Sequence, residues 1–168
     1  MHPYVELASE AIREKVLTNT QTSPPSPLPA EFEKPAGIFV SIKEEGELRG
    51  CIGTILPTRP TLAEEIIANA IAAASRDPRF DPVRKDELER LSISVDVLSA
   101  PEPINGLEDL DPVKYGLIVS SGLKRGLLLP NLEGIDRPEH QLQICKRKAG
   151  IHPNETVTLQ RFTVTRYR

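Results

Sequence analysis

Leu91-Ser92-Ile93-Ser94-Val95-Asp96-Val97 alternates apolar and polar residues without interruption. Successive side chains of a strand point to opposite faces, so this segment makes a strand with one covered and one polar face. The pattern suits an antiparallel sheet, because strands of a parallel sheet are covered on both faces. Upstream, Thr61-Leu62-Ala63-Glu64 reads as a capping box, with Thr61 as N-cap and Glu64 reaching back. The helix it opens runs to about Ser75 and buries Leu62, Ile66, Ile67, Ala70, Ile71 and Ala74. Before it, Gly37–Ile42 and Leu48–Ile52 form a hairpin around Glu44-Glu45-Gly46-Glu47.

The same reading extends to both ends. Val5, Ala8, Ile12 and Val16 recur at helical spacing, with Leu7 and Ala11 widening the stripe. The Pro- and Ser-rich stretch from Ser23 to Pro29 that follows cannot hold a helix and is expected to wrap over the surface. Beyond the alternating strand, Pro101–Pro112 reads as loop or small lobe, and Gly116–Ser120 pairs with Gly126–Leu129 as a second hairpin. Arg137–Ala149 reads as a helix closed by Gly150 in the left-handed conformation. The last strand, Thr156–Tyr167, changes phase between Val157/Leu159 and Phe162/Val164, which predicts a β-bulge near Gln160-Arg161.

Composition narrows the functional classes. A net charge of -3 argues against a protein built for phosphate backbones, so no nucleic acid is expected. No apolar run approaches the ~20 residues of a membrane span, and the first residues lack the regions of a signal peptide. Cys51 and Cys145 form no framework of paired spacings, so a reducing cytoplasm is the expected compartment. A zinc site from Cys51, Cys145, His140 and His152 has none of the short ligand spacings such sites use, so neither metal nor cofactor is expected. Cys145, beside Leu142 and Ile144 on its helix, reads as a core thiol.

The chemistry-bearing stretch is Leu48-Arg49-Gly50-Cys51-Ile52-Gly53. Strict alternation puts Arg49 and Cys51 on one face, where the guanidinium would favour the thiolate, the reactive form of cysteine. Gly50 and Gly53 would let a ligand or another backbone approach. A second reading makes Cys51 a small core hydrophobe and Arg49 a surface partner of Glu45 or Glu47. Arg76-Asp77-Pro78-Arg79-Phe80 ends the second helix. Its guanidiniums can fork onto a carboxylate or phosphate, with Phe80 as a stacking wall. The alternative is a helix-stop loop, with Asp77 paired to an arginine and Phe80 in the core.

These strings, in this order, resemble the AmmeMemoRadiSam system protein A family, also called the AMMECR domain. The matching residues also include Gly37-Ile38-Phe39-Val40, Asn69-Ala70, Gly126-Leu127-Leu128-Leu129-Pro130 and Cys145-Lys146-Arg147-Lys148-Ala149-Gly150. The resemblance implies an α+β fold, with a mainly antiparallel sheet, flanking helices and a smaller lobe forming a cleft. A single domain over 1–168 is expected, with the small lobe within about 55–115. The family is a companion of Memo-type and radical SAM proteins, which makes those the expected partners.

Two functions follow. In one, a small ligand or peptide binds at Cys51, with Cys51 and Arg49 as the catalytic pair if there is chemistry, and Gly50, Gly53, Arg76, Asp77 and Arg79 as binding residues. In the other, the same string is a docking edge for a partner protein, without catalysis.

Overall fold

The computed structural model describes residues 1–168 and contains two compact units, Met1–Leu98 with Thr165–Arg168, and Ser99–Val164. The expected small lobe at 55–115 therefore falls across both, with 55–98 in the first unit and 99–115 in the second.

In the first unit, α1 (Pro3–Thr18) and α2 (Leu62–Ser75) pack on a four-stranded sheet of β1 (Ile38–Glu44), β2 (Glu47–Thr54), β3 (Leu91–Leu98) and a short last strand, Val164–Tyr167. The order is β2-β1-β3-last strand, and β1 runs antiparallel to both β2 and β3. Glu45 and Gly46 turn the first hairpin with φ of 51° and 87°. Positive φ at both central residues matches the right-handed twist of the strands it joins.

The alternation of β3 does what its sequence predicts. Ile93, Val95 and Val97 lie opposite Ile42, Val40 and Ile38 in the register. Those three β1 residues have no exposed surface and share one core with Ile12, Ile66 and Ala70 of the helices. Burying each such side chain contributes about 1.5–3 kcal/mol. Ser92, Ser94 and Asp96 are left on the face away from the helices. The alanines of α2 allow close approach: a Cβ on Gly50 would stand 2.3 Å from the Ala73 carbonyl oxygen.

The Pro-rich stretch ends in a single 3-10 turn, Ala30–Phe32, where Tyr4 of α1 donates a hydrogen bond to the Glu31 carbonyl at 2.8 Å. Thr61 caps α2 as expected, accepting the Glu64 N–H at 3.2 Å. The Glu64 carboxylate returns to the Thr61 hydroxyl.

The second unit is inserted between β3 and the last strand. It is a four-stranded sheet ordered β4 (Glu102–Ile104), β7 (Thr158–Phe162), β5 (Gly116–Ser121) and β6 (Lys124–Leu128), with the antiparallel pairs β4–β7, β7–β5 and β5–β6. The helix α3 (Pro138–Ala149) lies on it, with Gly150 at φ 69° ending the helix. Leu117, Val119, Leu128 and Cys145 form its core.

One expectation is corrected. The segment 156–167 is not a single bulged strand: it is β7 and β8 (Val164–Tyr167), broken at Thr163 and belonging to different sheets. The phase change in the sequence falls within β7, where Phe162 lies on the face opposite Leu159 and packs over Gly116. No helix is long and apolar enough to cross a membrane.

Candidate functional site

A bulge does exist, but in β2. The register runs Ile42↔Gly50 and then Lys43↔Leu48, which leaves Arg49 as the extra residue. Alternation fails there, so Leu48 lies across from Lys43, and Arg49 is turned away from Cys51. Its guanidinium forks onto Glu87 at 2.8 and 3.1 Å and donates to the carbonyls of Asp81 and Pro82. Glu87 is buried, and its second oxygen also accepts the Arg84 N–H at 2.7 Å. The Arg49 fork is the main reason that its pKa falls to about 2, with burial opposing and the Arg84 N–H assisting. Arg49 fastens the segment after α2 to the edge strand; it makes no hydrogen bond to the thiol.

Cys51 is held from the side by Asp77 and Arg79. It lies on the outer strand of the sheet, where N–H and C=O groups would lack a neighbouring strand. Asp77 Oδ2 accepts the Cys51 N–H at 2.9 Å, and Arg79 donates to the Cys51 carbonyl at 3.3 Å. Asp77 and Arg79 are themselves joined by a two-pronged ion pair at 3.1 and 2.8 Å. The pair thus supplies the acceptor and donor that an adjacent strand would have offered. Asp77 is 4% exposed. The Arg79 hydrogen bonds hold its carboxyl well below the usual range against the opposing effect of burial, with the Cys51 and Arg79 N–H groups adding to them. Phe80 is half-buried, outside the first-unit core, with the Arg79 guanidinium 5.4 Å from its ring centre.

The two glycines are filled by protein. The space over Gly50 is held by the Ala73 carbonyl, and that over Gly53 by the Phe39 ring, 2.3 Å from where a Cβ would stand. Of the two neighbours expected at these glycines, a ligand or another backbone, Gly50 has the backbone of α2, and Gly53 is covered by the Phe39 ring. Arg76 does not join this group. It is exposed and lines a separate cleft with Lys15 and Arg59.

What remains on the helix-free face is a row the sequence reading passed over. Cys51 pairs in register with Ser41, and Ser41 with Ser94. All three are half-buried, and Ser41 Oγ and Cys51 Sγ share a hydrogen bond at 3.3 Å. The next row is Gly53, Phe39 and Asp96. Asp96 is 1% exposed and takes a fork from Arg166 of β8 at 2.7 and 2.8 Å. That fork chiefly raises the Arg166 pKa, and the Cys51 sulfur adds to the rise, as it does for Arg79 after the Asp77 contacts. Arg79 and Arg166 are thus the guanidiniums whose charge a Cys51 thiolate would favour. The polar positions of β3 were the available signal; nothing in the sequence tied Arg166 to them.

No histidine or carboxylate hydrogen-bonds to Cys51 Sγ, and no three or more His, Cys, Asp or Glu residues gather as metal ligands. The arrangement presents a thiol and two hydroxyls beside positive charge, which suits recognition of an acceptor-rich group. Cys145 is the opposite case. It is fully buried, and desolvation pushes its thiol up to about 12.

Comparison with known proteins agrees with this frame. The AMMECR1 family model matches residues 5–168. A Thermotoga maritima protein is 52% identical, over 99% of this chain and 98% of its own length. Protein CA_C1420 of Clostridium acetobutylicum is 49% identical over 99% of this chain, which spans only 36% of that protein. The crystal structure of an uncharacterized protein from Pyrococcus horikoshii, PH0010, superposes with a TM-score of 0.87 at 36% identity, covering 97% of this chain and 88% of that one. The chain belongs to the AMMECR1 family.

Proposed function

We propose that this is a binding domain that receives a small ligand or a peptide on the helix-free face of its first sheet. Cys51, Ser41 and Ser94 are the contact row, and Arg79 and Arg166 supply positive charge beside it. The observation that carries the reading is the double anchoring of the Cys51 peptide by Asp77 and Arg79. A residue fixed on both sides of its backbone, with a thiol left half-exposed, is pre-organised for contact. The ligand has acceptor groups, such as a carboxylate or a peptide carbonyl, because hydroxyl, thiol and guanidinium groups all donate.

The domain acts, on this reading, in the cytoplasm as a component of a radical-SAM-associated modification pathway, beside Memo-type and radical SAM proteins. Support for the pathway is the family resemblance of the paired strings, and support for the compartment is two unpaired cysteines. A docking edge at Cys51 is the weaker reading, since Asp77 and Arg79 already occupy the groups that an added strand would use.

A fragment screen by amide NMR tests it. Hits should shift the Ser41, Cys51 and Ser94 amides and slow iodoacetamide labelling of Cys51. Hits that avoid this face, together with a Cys51 that labels only after unfolding, would overturn the reading.

A further inference from the structure

Lys15, Arg59 and Arg76 converge on one cleft of the first unit, about 470 Å³ in volume, in the size range of small-molecule sites. No carboxylate lines it. That is unusual in this chain, which carries a net charge of -3. Elsewhere in the unit, Arg13, Arg49, Arg79, Arg84, Arg90 and Arg166 each hold an acidic partner. Arg59 and Arg76 are exposed and form neither an ion pair nor a side-chain hydrogen bond. Of the three cations, only Lys15 is engaged, donating to Asn19 Oδ1 at 2.6 Å.

Helix dipoles account for part of this arrangement but not all. Lys15 is in the last turn of α1 and Arg76 caps the end of α2, where cations offset the negative helix end. Arg59 precedes the first turn of α2, the positive end, where a cation is disfavoured. Its side chain nevertheless lines the same cleft as Arg76, Ser75 and Gln21. A third charge brought to a cleft against the local dipole, without a protein partner, calls for an external anion.

We propose that this cleft binds a phosphate-bearing small molecule. Two guanidinium forks and an ammonium match the several oxygens and double charge of a phosphate group. Thr20 and Gln21 add polar groups, and Ile71 gives a short apolar wall for the organic part. The site is separate from the Cys51 row, and Arg76, which the sequence placed with Asp77 and Arg79, belongs here.

The test is calorimetric titration with inorganic pyrophosphate at ionic strength fixed by sodium chloride, with citrate as the carboxylate comparator. Arg59→Gln and Arg76→Gln should each weaken pyrophosphate binding at least tenfold, and together abolish it. Arg84→Gln, a surface change elsewhere, should leave it unaltered. Both cleft side chains are exposed and unbonded, so the variants should keep the wild-type circular dichroism and the wild-type rate of Cys51 labelling. The proposal is overturned if wild-type protein takes up no pyrophosphate at millimolar concentration. It is equally overturned if Arg84→Gln weakens binding as much as Arg76→Gln, or if citrate binds tighter than pyrophosphate. None of these failures bears on the Cys51 row, which the labelling rate reports independently.

Discussion

Asp77 completes the hydrogen bonding of Cys51: its Oδ2 accepts the Cys51 N–H at 2.9 Å, across 26 residues of chain. The carboxylate is buried and takes the Arg79 fork as well, so its removal leaves a donor and a cation without their partner. Asp77→Ala should cost about 2–4 kcal/mol, and Asp77→Asn, which keeps an acceptor, less than Ala. Urea denaturation measures both. Amide exchange at Cys51 should accelerate in the Ala variant, and unchanged exchange there would refute the clamp.

Arg49 faces Glu87, so its substitution should act on stability and leave the thiol alone. Arg49→Lys loses the two-pronged geometry and should cost about 1–2 kcal/mol. Iodoacetamide labelling of Cys51 in the folded variant should stay within about twofold of wild type. A several-fold fall in labelling would restore Arg49 as the group that activates the thiol.

Acid should loosen the same attachment. The folded-state pKa of Glu87 is near 2, below its ordinary value of 4.5, so the unfolded chain binds more protons between those limits. Its contribution, on the order of 3 kcal/mol, is complete above about pH 4.5 and lost as pH falls toward 2. Asp77, also depressed, acts in the same direction. Stability measured from pH 5 to pH 2.5 should therefore fall in wild type, and fall less steeply in Glu87→Gln.

Glycine substitutions separate packing from backbone freedom. Gly50→Ala drives a Cβ into the Ala73 carbonyl, where neither backbone can yield cheaply. It should destabilise by about 3 kcal/mol or more, as overpacked cores do. Gly46→Ala meets no atom within 4 Å and pays only for φ +87°, about 1 kcal/mol. Thermal unfolding of the two variants gives the order; equal losses would contradict the close packing of α2 on β2.

The two cysteines should differ in labelling. Cys145, buried with its thiol pushed up to about 12, should stay unmodified in the folded protein at pH 8, while Cys51 is alkylated. Peptide mapping after iodoacetamide treatment, with and without guanidinium chloride, reads this directly.

What the sequence determined by itself was local. The alternation of Leu91–Val97, the cap at Thr61 and the Gly-containing hairpin turn each act over a few residues, so the antiparallel α+β frame was legible from them. The strings around Cys51 and Asp77 stood out by their cysteine, glycines and paired charges. Only the tertiary structure decided their roles. The bulge at Arg49 depends on register with β1 and reversed the expected facing, which no alternation count within β2 reveals. Asp77 and Arg79 became an edge clamp because β2 is the outer strand, a property of sheet order. Asp96 met Arg166 across 70 residues, and Arg76 met Lys15 and Arg59 on a cleft beside α2. Such pairings are set by chain reversal and packing between distant segments, and local propensity carries no record of them.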